Sequence, residues 1–202
     1  EDGKVVDVTE PIVRYCPLFA KRRGMEELNK DTIRENIEFR IESFGMCSDD
    51  RVTEMDNFLN FGISETLCSA LINGKIDAAV IAADGCGTAV ITEPRLVQGL
   101  GGRISGICET EPIPKVVEAV GEDNMLDPDT ARIDMEAGVD KAFSMGYRRV
   151  AVTTPFVDSA VRMRARYGDG LIIIGVHTTG MSEEDAAKAF DTFDIITACA
   201  SK

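Results

Sequence analysis

Short aliphatic runs alternate with amphipathic stretches in the last third of the chain. The runs at 148–154, 171–176 and 194–200 have the length and composition of buried strands, whereas 156–167 and 182–190 have the apolar spacing of helices. Strands that are apolar on both faces and separated by helices are typical of a parallel sheet covered on both sides. Because right-handed crossovers join such strands, we expect all three to end at one edge of the sheet.

The first half of the chain continues the alternation with weaker signals. A buried strand is predicted at 76–83, a short strand at 89–92, and a weak period of two marks 4–8. We expect 4–8 and 89–92 to be edge or antiparallel additions to the sheet. Capping residues and glycine stops predict further helices at Asp31 to Gly45, Ser64 to Asn73, Glu93 onward, 114–120, and Asp127 to Gly146.

These elements predict a single three-layer α/β domain over residues 1–202, with a mainly parallel sheet and helices on both faces (Rossmann-like). No linker, repeat or low-complexity tract interrupts the chain, and its length suits one domain with a full core. The chain begins at Glu1 rather than Met and stops just after a predicted strand, so we expect it to be trimmed at both ends.

Charge and cysteine content narrow the class of protein. The formal net charge of −13 argues against a nucleic-acid surface, which needs clustered basic residues. No apolar stretch reaches the length of a membrane span. Six cysteines without a Cys-x-x-Cys pair indicate reduced thiols in a cytoplasmic protein.

The turn after the 76–83 strand is the first candidate for chemistry. Cys86 lies between Gly85 and Gly87, which allow tight turning and close approach of a ligand to the backbone and to Thr88. One interpretation is an exposed thiol in an active-site turn, with Asp84 as base or orienting carboxylate. The other is a glycine turn that holds a buried, inert cysteine.

The glycine-rich segment 98–106 is a candidate anion site. Backbone N–H groups around Gly101, Gly102 and Ser105 could hold an anion, and Arg103 would add a forked donor. Its spacing is neither that of a dinucleotide-binding loop nor that of a nucleotide-hydrolase phosphate loop. The alternative is a flexible glycine connection between two helices.

His177 is the only histidine, and it follows the strand at 171–176. It could act as acid or base, as a ligand, or as a hydrogen-bonded cap, and Thr178 and Thr179 would lie beside it. Since ligands of open α/β sheets bind outside the carboxyl ends of the strands, we expect His177 to share that edge with Cys86.

A metal site is a further hypothesis at this edge. Cys86, His177 and Cys199 would supply thiolate and imidazole ligands if the topology brings them together. Two core cysteines and a capping histidine are the alternative. The sequence identifies no cofactor.

Several stretches taken together resemble the family known as methanogenesis marker protein 8. The stretches that carry the resemblance are 14–19, 36–41, 97–106, 126–134, 175–180 and 197–202. Members of that family occur in methane-forming archaea alongside the genes for methyl-coenzyme M reductase, and the family supplies no catalytic residue.

The resemblance implies an accessory protein of methanogenesis. Such a protein would assist the assembly, modification or activation of methyl-coenzyme M reductase or its nickel cofactor, with the reductase or its maturation factors as partners. The alternative is an enzyme that acts on a small anionic metabolite or thiol coenzyme through the Cys86 and His177 site.

Overall fold

A computed structural model describes residues 3–57, 62–102, 106–178 and 180–197, and for Leu18 and Arg22 the backbone alone. Within these ranges five strands form one sheet in the order β2-β1-β3-β4-β5. Strands β1, β3, β4 and β5 are parallel, and β2 is an antiparallel edge strand. The strands are β1 Ala78–Ala83, β2 Gly87–Ile91, β3 Val150–Thr154, β4 Leu171–Gly175 and β5 Ile195–Ile196.

The helices cover both faces of this sheet, which confirms the predicted three-layer, Rossmann-like fold with an antiparallel edge. They are α1 Pro17–Arg23, α2 Lys30–Phe44, α3 Ile63–Ile72, α4 Pro94–Gly101, α5 Pro114–Val120, α6 Met135–Ser144, α7 Val157–Tyr167 and α8 Glu183–Thr192. None of the helices in the described parts of the chain has the length and apolar character that a membrane span requires.

Alternation along the central strands produces a core on each face. In β1, Ala79 and Ile81 pack in one cluster with Leu100 of α4, while Val80 packs in the other cluster with Val139 of α6. Successive side chains of a strand point to opposite faces, so a continuously apolar strand must be covered twice. The α3–α5 helices therefore close one face and the α6–α8 helices close the other.

Two predicted elements differ from the structure. Residues 4–8, predicted as an edge strand, have no regular secondary structure. The helix expected from Asp127 begins only at Met135, after the N-cap Asp134. The Asp127 carboxylate instead accepts hydrogen bonds from the N–H groups of Asp129 and Thr130, which builds a turn, and Ala131 follows with a φ of 50°.

The chain leaves β1 through a tight hairpin into β2. Ala83 pairs with Gly87, so only Asp84, Gly85 and Cys86 form the connection. Gly85 and Gly87 have φ values of 84° and 60°, a conformation that glycine adopts without a steric penalty. Both glycines are therefore needed for the hairpin turn. The strand predicted at 89–92 is the antiparallel strand β2.

Candidate functional site

The carboxyl ends of the parallel strands define the candidate site. Hydrogen bonds continue past the strand ends, from the Val176 N–H to the Thr154 carbonyl at 3.2 Å and from the Thr197 N–H to the Gly175 carbonyl at 2.9 Å. The segments that follow β1, β3, β4 and β5 consequently emerge at one edge, as the parallel topology requires. Asp84, Phe156, His177 and Thr197 belong to these segments.

Asp84 is fully buried in an ion pair with Arg51. The Arg51 Nε donates to both carboxylate oxygens at 3.0 Å, and the backbone N–H of Cys47 donates to Oδ2 at 2.7 Å. These donors occupy the lone pairs that a general base would need. Asp84 therefore joins the loop that follows α2 to the end of β1. The structure gives no support to its predicted role as base.

Arg51 is the central residue of this contact and was not predicted as a site residue. Its guanidinium also donates to the carbonyls of Gly99 at 3.2 Å and Leu100 at 3.3 Å, at the end of α4. Carbonyls of the last helical turn favour a cation, so the arginine neutralises two sources of negative charge. Its sequence neighbourhood had no regular periodicity, and nothing in it indicated a buried ion pair.

Of the two interpretations of the Cys86 turn, the exposed thiol was wrong. Cys86 is fully buried, and its Sγ lies 3.8 Å from the Ala83 carbonyl and 3.6 Å from the Gly87 carbonyl. Burial, reinforced by the negative charge of Asp84, raises the pKa of the thiol to about 12. A protonated, enclosed thiol does not suit nucleophilic attack, so the alternative of a buried, inert cysteine describes this turn better.

Gly87 and Thr88 face the protein interior. A Cβ on Gly87 would lie 2.0 Å from the carbonyl oxygen of Ala131, and the Thr88 hydroxyl accepts a hydrogen bond from the Asp134 N–H at 2.9 Å. Both residues are buried against the 131–134 segment. They shape the β2 entry, and neither is presented to a ligand at the carboxyl edge.

The glycine-rich segment divides into a helical and an undescribed part. Gly101 is the last residue of α4, and the Gly102 N–H donates to the Gln98 carbonyl at 2.8 Å as a helix end. That donor is therefore not directed at an anion. Arg103, Ser105 and Thr179, which were predicted to bind the ligand, lie outside the described residues, as does Cys199.

His177 is held in an unusual backbone conformation at the end of β4. Its φ is 53°, and its Nε2 accepts a hydrogen bond from the Gly106 N–H at 3.1 Å. Desolvation by the surrounding chain, and then the charge of Arg40, lower the pKa of the imidazole. Because Nε2 is the acceptor of this hydrogen bond, the neutral ring carries its proton on Nδ1. Beside it, the Thr178 hydroxyl donates to the Thr197 carbonyl at 2.7 Å.

Residues 106–113, here called the bridging segment, connect the exits of β4 and β1. Gly106 contacts His177 at one end, and at the other the Thr110 hydroxyl accepts from the Gly85 N–H at 2.9 Å. The Ile113 N–H also donates to the Gly85 carbonyl at 3.0 Å. Because β3 lies between β1 and β4, this segment crosses the carboxyl edge.

The same strand order keeps Cys86 and His177 apart. Two strand spacings separate β1 from β4, which is roughly 10 Å, so the imidazole is not placed to activate the thiol. The described ranges contain no group of three or more His, Cys, Asp or Glu side chains arranged to hold a metal ion. The predicted Cys86, His177 and Cys199 site gains no support from this arrangement, and Cys199 lies outside the described residues.

The fold and its edge define an α/β protein with a mainly parallel sheet, whose carboxyl edge carries an exposed histidine and buries Asp84 and Cys86. The chain belongs to the archaeal family described as "Uncharacterized protein conserved in archaea (DUF2099)", whose model matches residues 1–202. It is 48% identical over 208 residues to an uncharacterized protein of Methanocaldococcus jannaschii, an alignment that covers all of this chain and 73% of that relative. No solved structure matches the chain.

Proposed function

We propose that the protein is a binding protein that serves methanogenesis, assisting the assembly, modification or activation of methyl-coenzyme M reductase or its nickel cofactor in the archaeal cytoplasm. The resemblance of six stretches to methanogenesis marker protein 8 supports this role. The archaeal family and the relative in Methanocaldococcus jannaschii are consistent with it.

The observation that carries the proposal is the burial of the candidate catalytic groups. Asp84 is neutralised inside the fold by Arg51, and Cys86 is enclosed and protonated. Neither Asp84 nor Cys86 can therefore serve as the exposed nucleophile or base that covalent catalysis needs. What this edge offers instead is surface for recognition.

An exposed aromatic ring belongs to that surface. Phe156 caps α7 directly after β3 and is 68% exposed, while its backbone N–H donates to the Thr154 hydroxyl at 3.2 Å. The backbone is thus fixed and the ring projects from it. Large aromatic side chains on a rigid support are frequent anchors of protein interfaces.

A capture experiment with purified methyl-coenzyme M reductase and its maturation factors tests the proposal under anaerobic conditions. We expect wild-type protein to bind one of them and Phe156→Ser to weaken binding by tenfold or more, as for the loss of an interface anchor. Phe190→Ser is the matched control, since Phe190 is 81% exposed near the end of α8, where the chain returns to the opposite edge of the sheet.

Two results would count against this function. Failure of the wild-type protein to bind either the reductase or any maturation factor would remove the accessory role. Equal losses in Phe156→Ser and Phe190→Ser would remove the carboxyl edge as the binding surface.

A second candidate is an enzyme acting on a small anionic metabolite or thiol coenzyme. The specific observation in its favour is His177, whose exposed imidazole at the strand exits has its Nδ1–H as a hydrogen-bond donor for a substrate. A panel of thiol coenzymes and anionic metabolites, screened by thermal shift, should raise the Tm of wild type and leave His177→Gln unaffected. No shift with any compound would dismiss this candidate.

A further inference from the structure

A buried glutamine between α3 and α4 has one hydrogen-bonding atom without a partner. Gln98 is fully buried, and its Nε2 donates to Glu65 Oε1 at 3.0 Å, whereas its Oε1 has no hydrogen-bond partner among the described residues. Exchange of the two amide atoms would place an oxygen against the carboxylate, so this orientation of the amide is fixed. A buried carbonyl oxygen without a donor is uncommon in native proteins, and a bound water or ion is the usual explanation.

Glu65 is the charged neighbour of this oxygen. It is 5% exposed, and the donors that the described residues offer to it, the Gln98 amide and the Ser64 hydroxyl at 3.0 Å, are both neutral. Glu65 lies in the first turn of α3, and the N-terminus of a helix adds only partial positive charge. A buried carboxylate without a full counter-charge is unfavourable, so this position favours a bound cation.

The oxygen atoms of the three side chains lie close together. Because the two amide atoms of Gln98 share one carbon, its Oε1 lies within about 5 Å of Glu65 Oε1. A Cβ on Gly62, the N-cap of α3, would lie 1.9 Å from Glu65 Oε2, so glycine leaves the space that the carboxylate occupies. Ser64 is half-buried, which lets water reach this group of oxygens from the surface.

The electrostatic environment of this group is negative. Desolvation and then the charge of Glu65 raise the pKa of the Cys68 thiol, which lies on the next turn of α3. The exposed carboxylates of Asp56 and Glu93 raise the pKa of the same thiol further. Carboxylates at the surface therefore add to the attraction of a cation toward the buried one.

The charge and number of these ligands suit a monovalent cation. One carboxylate supplies one negative charge, and the amide and hydroxyl oxygens are neutral, whereas Ca²⁺ sites combine several carboxylates. The parts of the chain that the structure describes contain no group of three or more His, Cys, Asp or Glu side chains that could hold a metal ion. A water molecule would satisfy Gln98 Oε1 but would leave the charge of Glu65 uncompensated.

We infer that Gln98, Glu65 and Ser64 form a binding site for a monovalent metal cation, sodium or potassium, between α3 and α4. The bound cation holds α4 against α3, and α4 ends in the Gly99 and Leu100 carbonyls to which Arg51 donates. The site therefore supports the end of α4 from the side opposite to Arg51. It does not depend on binding to the reductase and would remain if that proposal failed.

Thermal unfolding of the purified protein in sodium, potassium and tetramethylammonium chloride, at equal ionic strength, tests this site. A cation that binds only the folded state raises the Tm, whereas tetramethylammonium is too large to enter. We expect sodium or potassium to raise the Tm by at least about 2 °C over tetramethylammonium, and the larger rise identifies the ion. The same Tm in all three salts would overturn the inference, since a bound water does not depend on the salt.

Substitutions locate the cation. Gln98→Met and Glu65→Gln each remove one ligand, so the Tm of either variant should be the same in the three salts. Glu38→Gln makes the same acid-to-amide change on α2, where exposed Glu38 lies 4.0 Å from Arg34, and should keep the full difference of wild type. If the buried variants do not fold, Ser64→Ala removes the half-buried ligand and should reduce the difference at least twofold.

The inference is also overturned if the folded variants among Gln98→Met, Glu65→Gln and Ser64→Ala keep the salt-dependent difference of wild type. Loss of that difference in Glu38→Gln would assign it to the general acidity of the surface and would overturn the site equally. Failure to capture the reductase has no bearing on these measurements, so the two proposals are separated.

Discussion

Arg51 and Asp84 are withdrawn from water as a pair, and each depends on the other. The Arg51 guanidinium donates to Asp84 and to the Gly99 and Leu100 carbonyls. These hydrogen bonds connect the loop after α2 to β1 and α4. Removal of one partner leaves a buried charge without compensation. This is the residue-scale interaction on which the geometry of the carboxyl edge depends most directly.

Arg51→Met and Asp84→Asn should each lower the free energy of unfolding by about 3–5 kcal/mol, because the remaining partner stays buried and unpaired. The exposed Arg95, which pairs with Glu54 and Asp56, is the control: Arg95→Gln should cost less than about 1 kcal/mol. Urea unfolding followed by circular dichroism measures both, and similar costs for the buried and exposed pairs would refute the assignment.

Thiol labelling separates the buried cysteine of the hairpin from the exposed one in the bridging segment. Cys108 is exposed, whereas Cys86 is enclosed and its pKa is raised to about 12. At pH 8, iodoacetamide should modify Cys108 in the native protein and reach Cys86 only after unfolding. Mass spectrometry of the labelled peptides provides the measurement, and equal native rates at the two positions would contradict the burial.

The His177–Gly106 hydrogen bond should depend on pH in a defined direction. Its Nε2 accepts only when unprotonated, and the pKa of His177 in the fold lies below the ordinary value of about 6.5. Folding therefore disfavours protonation of His177. The contribution of the unprotonated ring to the free energy of unfolding is complete above about pH 6.5 and is lost as the pH falls through the folded-state pKa.

NMR titration of the imidazole tests this expectation. Among the described residues, Arg40 of α2 is the charged group that lowers the pKa of the ring, so Arg40→Gln should raise the pKa of His177 while desolvation still holds it down. Arg34→Gln should leave the pKa unchanged. A wild-type value at or above about 6.5 would contradict the expectation.

At the scale of elements, α4 shows how a helix is fixed by close backbone approach. A Cβ on Gly99 would lie 2.0 Å from the Thr53 carbonyl oxygen, so the helix packs directly on the preceding segment. A Cβ on Gly101 would meet Ser64 at 3.4 Å, which is ordinary contact. Steric contact with the Thr53 backbone therefore excludes a side chain at Gly99, whereas the space around Gly101 admits a methyl group.

Gly99→Ala should destabilise the protein by about 1–3 kcal/mol, as an overpacked position does. Gly101→Ala should be neutral or stabilise by up to about 1 kcal/mol, because alanine favours the helix. Thermal unfolding of the two variants beside wild type gives the comparison. A larger loss for Gly101→Ala than for Gly99→Ala would contradict the packing of α4.

The predicted ends of helices agree with the structure where a local capping or stop residue sets them. Gly45 ends α2 in the left-handed conformation, and Pro114–Val120 is a helix as predicted. The helix expected from Asp127 starts late because the Asp127 carboxylate builds a turn before Asp134 caps the helix. Both aspartates are good caps, and only tertiary packing chooses between them.

At the scale of the whole molecule, one sheet supports two cores. Leu100 is buried in the cluster on the α4 face, and Leu171 in the cluster on the α7 face. Every central strand contributes to both clusters, so loss of either one should weaken the sheet as a unit. Such coupling is what a single cooperative domain requires.

Leu100→Ala and Leu171→Ala should each lower the free energy of unfolding by about 2–5 kcal/mol through cavity formation. Both should shift one common transition, seen by calorimetry and circular dichroism alike. Ile72, 66% exposed at the end of α3, is the control, and Ile72→Ala should have little effect. Two separate transitions, each sensitive to one leucine, would contradict a single cooperative domain.

The sequence by itself determined the α/β class, the parallel strands of the last third and the antiparallel edge, because apolar periodicity and glycine turns are local signals. It also located His177 at a strand exit. Tertiary structure alone decided that Arg51 would bury Asp84 and that Cys86 would be enclosed. Those contacts join residues far apart in the chain, and their energies depend on burial and charge, which no local pattern encodes.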